Sequence, residues 1–151
     1  MEQRNGFLIL AGWLSFLAAA LHVAVIFGGA DWYRFFGAGE ELAQLSEQGS
    51  LYPVIVTLAI TAILAGWGLY AWSGAGLLFR LPLLRICLVL ITAVYCIRGT
   101  YGFFVPVLSE HSYVTELGAG FWIWSSLICL TFGVIHMIGV RQSWDYLGNK
   151  G

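Results

Sequence analysis

The chain has 151 residues, of which 60% are hydrophobic, 16% aromatic and 10% charged. Seven Lys and Arg against eight Asp and Glu give a formal net charge of −1, whereas a soluble domain carries about 25% charged residues. This excludes a disordered chain, a coiled coil, an ordinary water-soluble enzyme and a nucleic-acid binder that works through a basic surface, and it points to a membrane protein.

Roughly 20 apolar residues cross a bilayer core of about 30 Å. The first such stretch covers about 6–27; it is longer than the roughly 7–15 residues of a signal-peptide core, and so reads as an uncleaved first helix. A long outer loop follows. Within it about 31–45 reads as a short helix with Asp31 as N-cap and Trp32, Phe35, Phe36, Leu42 and Leu45 on one broad apolar side. Arg34, Glu40, Glu41 and Glu47 face away, and Gly37 and Gly39 are placed to break the helix in two. The segment reads either as an interfacial helix on the outer leaflet or as a lid over the bundle.

The second span covers about 51–72, with Pro53 in the first turn. The sequence Gly74-Ala75-Gly76 is a helix stop in a short inner turn. The third span covers about 81–105, opening with Pro82 and ending before Pro106; the fourth covers about 119–140. The expected fold is therefore all-α: one transmembrane domain over 1–151, a four-helix bundle with a short interfacial helix in its first outer loop. Each span carries a stripe of small or weakly polar residues suited to close helix approach: Ala11, Ser15, Ala18, Ala19 and His22; Thr57, Thr61, Ala65 and Gly68; Thr92, Cys96, Gly99 and Thr100; Ser126, Cys129, Gly133 and His136.

Arg4, Arg80, Arg85, Arg141 and Lys150 fall on one side of these spans and only Arg34 on the other, which places both termini in the cytoplasm. One arginine, Arg98, is left inside a span, about seven residues from its outer end. Such a residue faces a partner or a wet cavity, or it snorkels. Register arithmetic puts His22, Thr57, Ser125 and Ser126 at similar depth, with Tyr95 and Tyr101 at i−3 and i+3 from Arg98. Two readings stay open. In the first, Glu40, Glu41 or Glu116 pairs with Arg98 and pins the loop to the bundle. In the second, Arg98 anchors an anionic or carbonyl-bearing ligand, with His22, Tyr95, Tyr101 and Ser126 supplying hydrogen bonds.

His22 and His136 differ in depth by about 15 Å at 1.5 Å per residue, too far for two axial ligands of one haem. No His, Cys or carboxylate set has metal-ligand spacing, Cys87, Cys96 and Cys129 form no CxxC pair, and no nucleotide or hydrolase motif occurs. No Asp or Glu lies within a span, which argues against an ion-coupled transporter. No cofactor is expected.

The stretch Gly28-Gly-Ala-Asp-Trp-Tyr-Arg-Phe-Phe-Gly-Ala-Gly-Glu40 resembles segments of small, uncharacterised four-helix inner-membrane proteins of proteobacteria, and the layout is distantly similar to the DoxX-like group in architecture. The resemblance implies a bacterial inner-membrane bundle and no particular activity. The expected function is non-enzymatic binding of a lipid-like or quinone-like small molecule, or of a partner membrane protein, through an outer-facing polar pocket centred on Arg98. The alternatives are a quinone-linked redox enzyme, with His22 in proton transfer, and a purely structural subunit. Partners are membrane lipids and a possible second copy of the chain; nucleic acid is not among them.

Overall fold

The computed structural model describes residues 4–109 and 111–148. Among these the chain is all helical: α1 (Gly6–Gly28), α2 (Ala30–Phe35), α3 (Glu40–Glu47), α4 (Tyr52–Gly74), α5 (Leu84–Leu108), α6 (Ser112–Gln142) and α7 (Trp144–Gly148). Four of them are long and apolar enough to cross a membrane.

The four long helices pack as two tight antiparallel pairs, α1 with α4 and α5 with α6, and the pairs close on each other through α1–α6 and α4–α5. Most of each predicted small-residue stripe turns inward, but Thr100, placed in the third, is exposed. Ala11, Ser15 and Ala19 of α1, Thr57 and Gly68 of α4, Gly99 of α5, and Ser126, Gly133 and His136 of α6 are all buried. Leu8, Leu64, Leu88, Ile91 and Tyr95 fill the middle between them. The outer surfaces are apolar too: Leu17 is 66% exposed, Ile97 67% and Ile55 62%. A water-soluble monomer rarely presents a continuous apolar surface on this scale.

At the inner end the helix termini are tied together by polar side chains. Asn5 caps α1 by accepting from Leu8 N at 3.0 Å, and its amide donates to Gly139 O at 3.1 Å and Ser143 Oγ at 2.8 Å. The Ser73 hydroxyl donates to Phe79 O at 2.9 Å and accepts from Leu81 N at 3.0 Å, closing the turn after α4. Arg80 donates to the carbonyls of Tyr146 and Leu147, and Arg85 stacks 3.5 Å over the Trp144 ring. These contacts dock α7, which the hydropathy pattern does not reveal.

Three expectations need correction. The outer helix breaks in two as expected, because Gly37 (φ +76°) and Gly39 (φ +94°) take left-handed backbone that other residues avoid. Its N-cap is Gly29, which leaves Asp31 inside the first turn. Helix α5 begins only at Leu84 and runs through Pro106 to Leu108, since the loss of one N–H so near the C-terminus does not stop it. Helix α6 begins at Ser112 rather than near 119 and bends at Gly118 (φ +74°, ψ +158°), so an outer segment stands off the apolar run.

The α5–α6 pair depends on glycine. A Cβ on Gly99 would lie 2.6 Å from Leu130 N and 2.8 Å from Leu130 Cα, both backbone atoms of α6. Gly66 has open space around it. Gly99→Val should therefore lower stability by about 1–3 kcal/mol through overpacking, read as a drop in the thermal midpoint of the detergent-solubilised protein, while Gly66→Ala should leave the midpoint unchanged or slightly higher.

Candidate functional site

The outer half of the bundle carries two polar groupings, one on each helix pair. The first forms where α5 and α6 cross near Gly102. The Arg98 side chain lies along α5 towards Gly102, its Nη2 donating to Ser125 Oγ at 3.2 Å and its guanidinium carbon 5.1 Å from the centre of the Trp122 ring. A Cβ on Gly102 would collide with both Arg98 Nη1 and Ser126 Oγ, so glycine is what lets these atoms approach. Arg98 Nη1, Trp122 Nε1 and Ser126 Oγ are all buried, and among the described residues none has a hydrogen-bond partner. An unmade hydrogen bond of this kind costs about 1–3 kcal/mol. Each of the three groups can donate, and among the described residues no carboxylate contacts Arg98.

The second grouping is a cavity of about 280 Å³ between the outer halves of α1 and α4, roofed by α2 and α3. His22, Tyr33 and Thr57 supply its polar lining, and Val25, Phe36 and Leu42 part of its apolar lining. His22 Nδ1 is 2.8 Å from Ala18 O, four residues back on its own helix. The Thr57 hydroxyl donates to Pro53 O at 2.7 Å and lies 3.3 Å from the Tyr33 hydroxyl.

The roof is held by charge. Arg34 on α2 forks onto Glu40 of α3 through Nε (2.7 Å) and Nη2 (2.8 Å), and its Nη1 reaches Glu47 at 2.8 Å and Asp31 at 3.5 Å. Gln44 adds a bond to Glu40 at 3.2 Å. A second tie crosses from α6, where the Tyr113 hydroxyl donates to Gly37 O at 2.7 Å and the Phe121 ring lies against Gly37.

The expected single layer around Arg98 is thus divided. Ser126 joins Arg98, as does Ser125. His22 lies on the other helix pair, in the cavity with Thr57. Tyr95 turns to the bundle centre, 3.4 Å from Ser15 and packed on Trp67, Phe132 and His136. Tyr101 is 61% exposed on the outer surface. Glu40 is taken by Arg34 rather than Arg98, because it lies six residues from Arg34 across the Gly37–Gly39 turn. Glu41 is exposed at the edge of a separate groove that also holds His111, Tyr113 and Glu116.

Sequence reasoning passed over Trp122, Gly102 and Tyr33. The first two carry a readable signal, at i−4 from Ser126 and i+4 from Arg98. Tyr33 is fully buried, because the break after α2 folds that helix back over α1 and α4. Among the described residues no group of three or more His, Cys, Asp or Glu side chains is placed to hold a metal ion.

Comparison of the chain with known protein families, curated proteins and solved structures finds no match in any of the three.

The clasp titrates. The Arg34 hydrogen bonds, assisted by Gln44, hold the Glu40 carboxyl below the usual carboxylate range. A depressed folded pKa means that the stabilisation is fully present above the unfolded value and is lost as pH falls through the folded one. A spin label at position 48, just past α3, should therefore stay constrained near neutral pH and gain mobility only as the pH is taken below the ordinary carboxylate range. Glu40→Gln should give the mobile spectrum at neutral pH.

Proposed function

We propose that the chain is a non-enzymatic integral membrane protein whose four long helices cross a bacterial inner membrane with both termini in the cytoplasm. It binds a lipid-like or quinone-like molecule at outer-leaflet depth, and Arg98 holds an acceptor oxygen of that molecule. The likeness of residues 28–40 to small proteobacterial inner-membrane proteins belongs to the same proposal. The orientation rests on charge: Arg4, Arg80, Arg85 and Arg141 gather at one end of the bundle, and Arg34 with its carboxylates at the other.

The observation that carries the binding role is the convergence of three buried, unpartnered groups, Arg98 Nη1, Trp122 Nε1 and Ser126 Oγ, beside Gly102. A structural arginine in an apolar helix would be expected to rest on a carboxylate or on backbone carbonyls. Arg98 instead rests on an aromatic face and a serine hydroxyl, and donors around it are left over. A phosphate or a quinone carbonyl presents the acceptor that these groups lack, and a guanidinium fork suits either.

Mass spectrometry of the purified protein should find a lipid or quinone that co-purifies with wild type and is depleted at least fivefold in Arg98→Ala and in Gly102→Ala, with unchanged helical circular dichroism. If nothing co-purifies and Arg98→Ala only lowers the thermal midpoint, the cluster is structural and the binding role is wrong. A reporter fused after Gly151 should read as cytoplasmic; a periplasmic reading would overturn the orientation.

A further inference from the structure

We infer that the cavity beneath α2 and α3 is a second binding site, separate from Arg98, and that it takes a small, neutral, lipophilic molecule whose hydroxyl group donates a hydrogen bond to His22 Nε2.

Three observations lead to this occupant. The first is the hydrogen-bond state of His22. A carbonyl oxygen only accepts, so the 2.8 Å contact with Ala18 O places the proton of the neutral ring on Nδ1. Nε2 then carries a lone pair, and among the described residues no group donates to it. The other polar groups do not compete for it. The Thr57 hydroxyl donates to Pro53 O at 2.7 Å, with the Tyr33 oxygen 3.3 Å away as a second acceptor for the same proton. His22 Nε2 is therefore the ring acceptor of this lining that is left without a donor.

The second observation is charge. Among the described residues no charged side chain lines this cavity. Arg34, Glu40 and Glu47 stand above it, joined to one another. An anion would face an unpaired acceptor with no counter-charge, and a cation would lose its hydration with no carboxylate in the lining. A neutral hydroxyl supplies the missing donor without either penalty.

The third is the wall. Apart from the three polar groups the lining is aliphatic or aromatic, as in sites for small apolar ligands with a few orienting polar contacts. Leu21 and Ile60 rim the cavity and are also exposed, at 41% and 39%, on the outer faces of α1 and α4. The mouth therefore opens sideways onto the apolar surface, where a membrane-dissolved molecule would arrive. The volume of about 280 Å³ suits a one- or two-ring phenol or an alcohol of similar size.

The test compares 2-naphthol with naphthalene, which has the same ring and no hydroxyl, on the full-length protein in nanodiscs. The readout is the imidazole ¹⁵N spectrum of histidine-labelled protein, with the His22 signals assigned from their loss in His22→Leu. The Nε2 resonance should move upfield with saturating 2-naphthol and stay in place with naphthalene. Affinity for the naphthol should exceed that for naphthalene by roughly fivefold to tenfold, the contribution of one hydrogen bond. His22→Leu should abolish that preference, and Val56→Phe, which fills the cavity and leaves His22 intact, should abolish the shift. An unmoved Nε2 resonance in wild type, equal affinity for the two probes, or a shift that survives Val56→Phe would each overturn the assignment. Should His22→Leu not fold, His22→Gln supplies the assignment, and the probe comparison on wild type and Val56→Phe still decides it.

Discussion

Close backbone approach between antiparallel helices is the constraint on which the rest of the molecule depends. The stripes that face inward are small, so the helices come together until backbone meets backbone or backbone meets ring. The face of Gly99 meets the backbone of α6 at Leu130, that of Gly133 meets Cys96, and that of Gly12 meets the Trp72 indole. Helices whose outer surfaces are as apolar as their inner ones gain little from apolar burial alone, and dispersion contacts at short range add to the drive for them to associate. The same closeness fixes the polar groups. At Gly102 the missing side chain is the space beside which Arg98 and Ser126 lie, so the packing device and the candidate site are one feature.

The two ends of the bundle satisfy their charges differently, and this shapes what each end can do. Inner arginines lie on neutral partners: Arg80 on two carbonyls at the end of α7, Arg85 on the Trp144 face. They keep their net positive charge while ordering the terminus. At the outer end one arginine, Arg34, gathers Asp31, Glu40 and Glu47, so the roof over the cavity is held by a cluster in which acid exceeds base. Exposed ion pairs contribute little stability one by one. Here they join two short helices of six and eight residues that have little else to fix their angle, apart from Tyr33 packed beneath and the Tyr113 tie.

Much of this was legible in the sequence, and the limits have a physical form. The four long apolar helices follow from hydropathy alone, and their inward faces from the spacing of small residues. The break in the outer helix follows from Gly37 and Gly39. Depth along each helix was legible as well: His22, Thr57, Arg98 and Ser126 do all lie in the outer half of the bundle. What one-dimensional arithmetic lacks is azimuth. Each step of three residues turns a side chain by about 60° around the axis. Tyr95, Arg98 and Tyr101 thus sweep from the bundle centre, to the α5–α6 crossing, to the outer surface. Three residues that look like one polar face are three different environments. Similarly, which helices pair closely is set by packing that no single helix encodes, and so His22 and Arg98 share a depth without sharing a site.

That separation gives the two groupings opposite hydrogen-bond character. At Arg98 the unsatisfied groups are donors held around one positive charge. At His22 the unsatisfied atom is an acceptor in a neutral, largely apolar cavity. A single ligand oxygen without a proton suits the first and not the second; a hydroxyl suits the second and gains less at the first. The segment that touches both regions is the outer part of α6, bent at Gly118: Trp122 lies under Arg98, while Phe121 and Tyr113 press on Gly37 in the roof of the cavity. Trp122 and Phe121 are neighbours in sequence, and Tyr113 stacks edge-on against Trp122 at 6.3 Å. Trp122 therefore has a direct packed route to the roof. The two polar groupings differ in chemistry, yet they are built against the same stretch of α6.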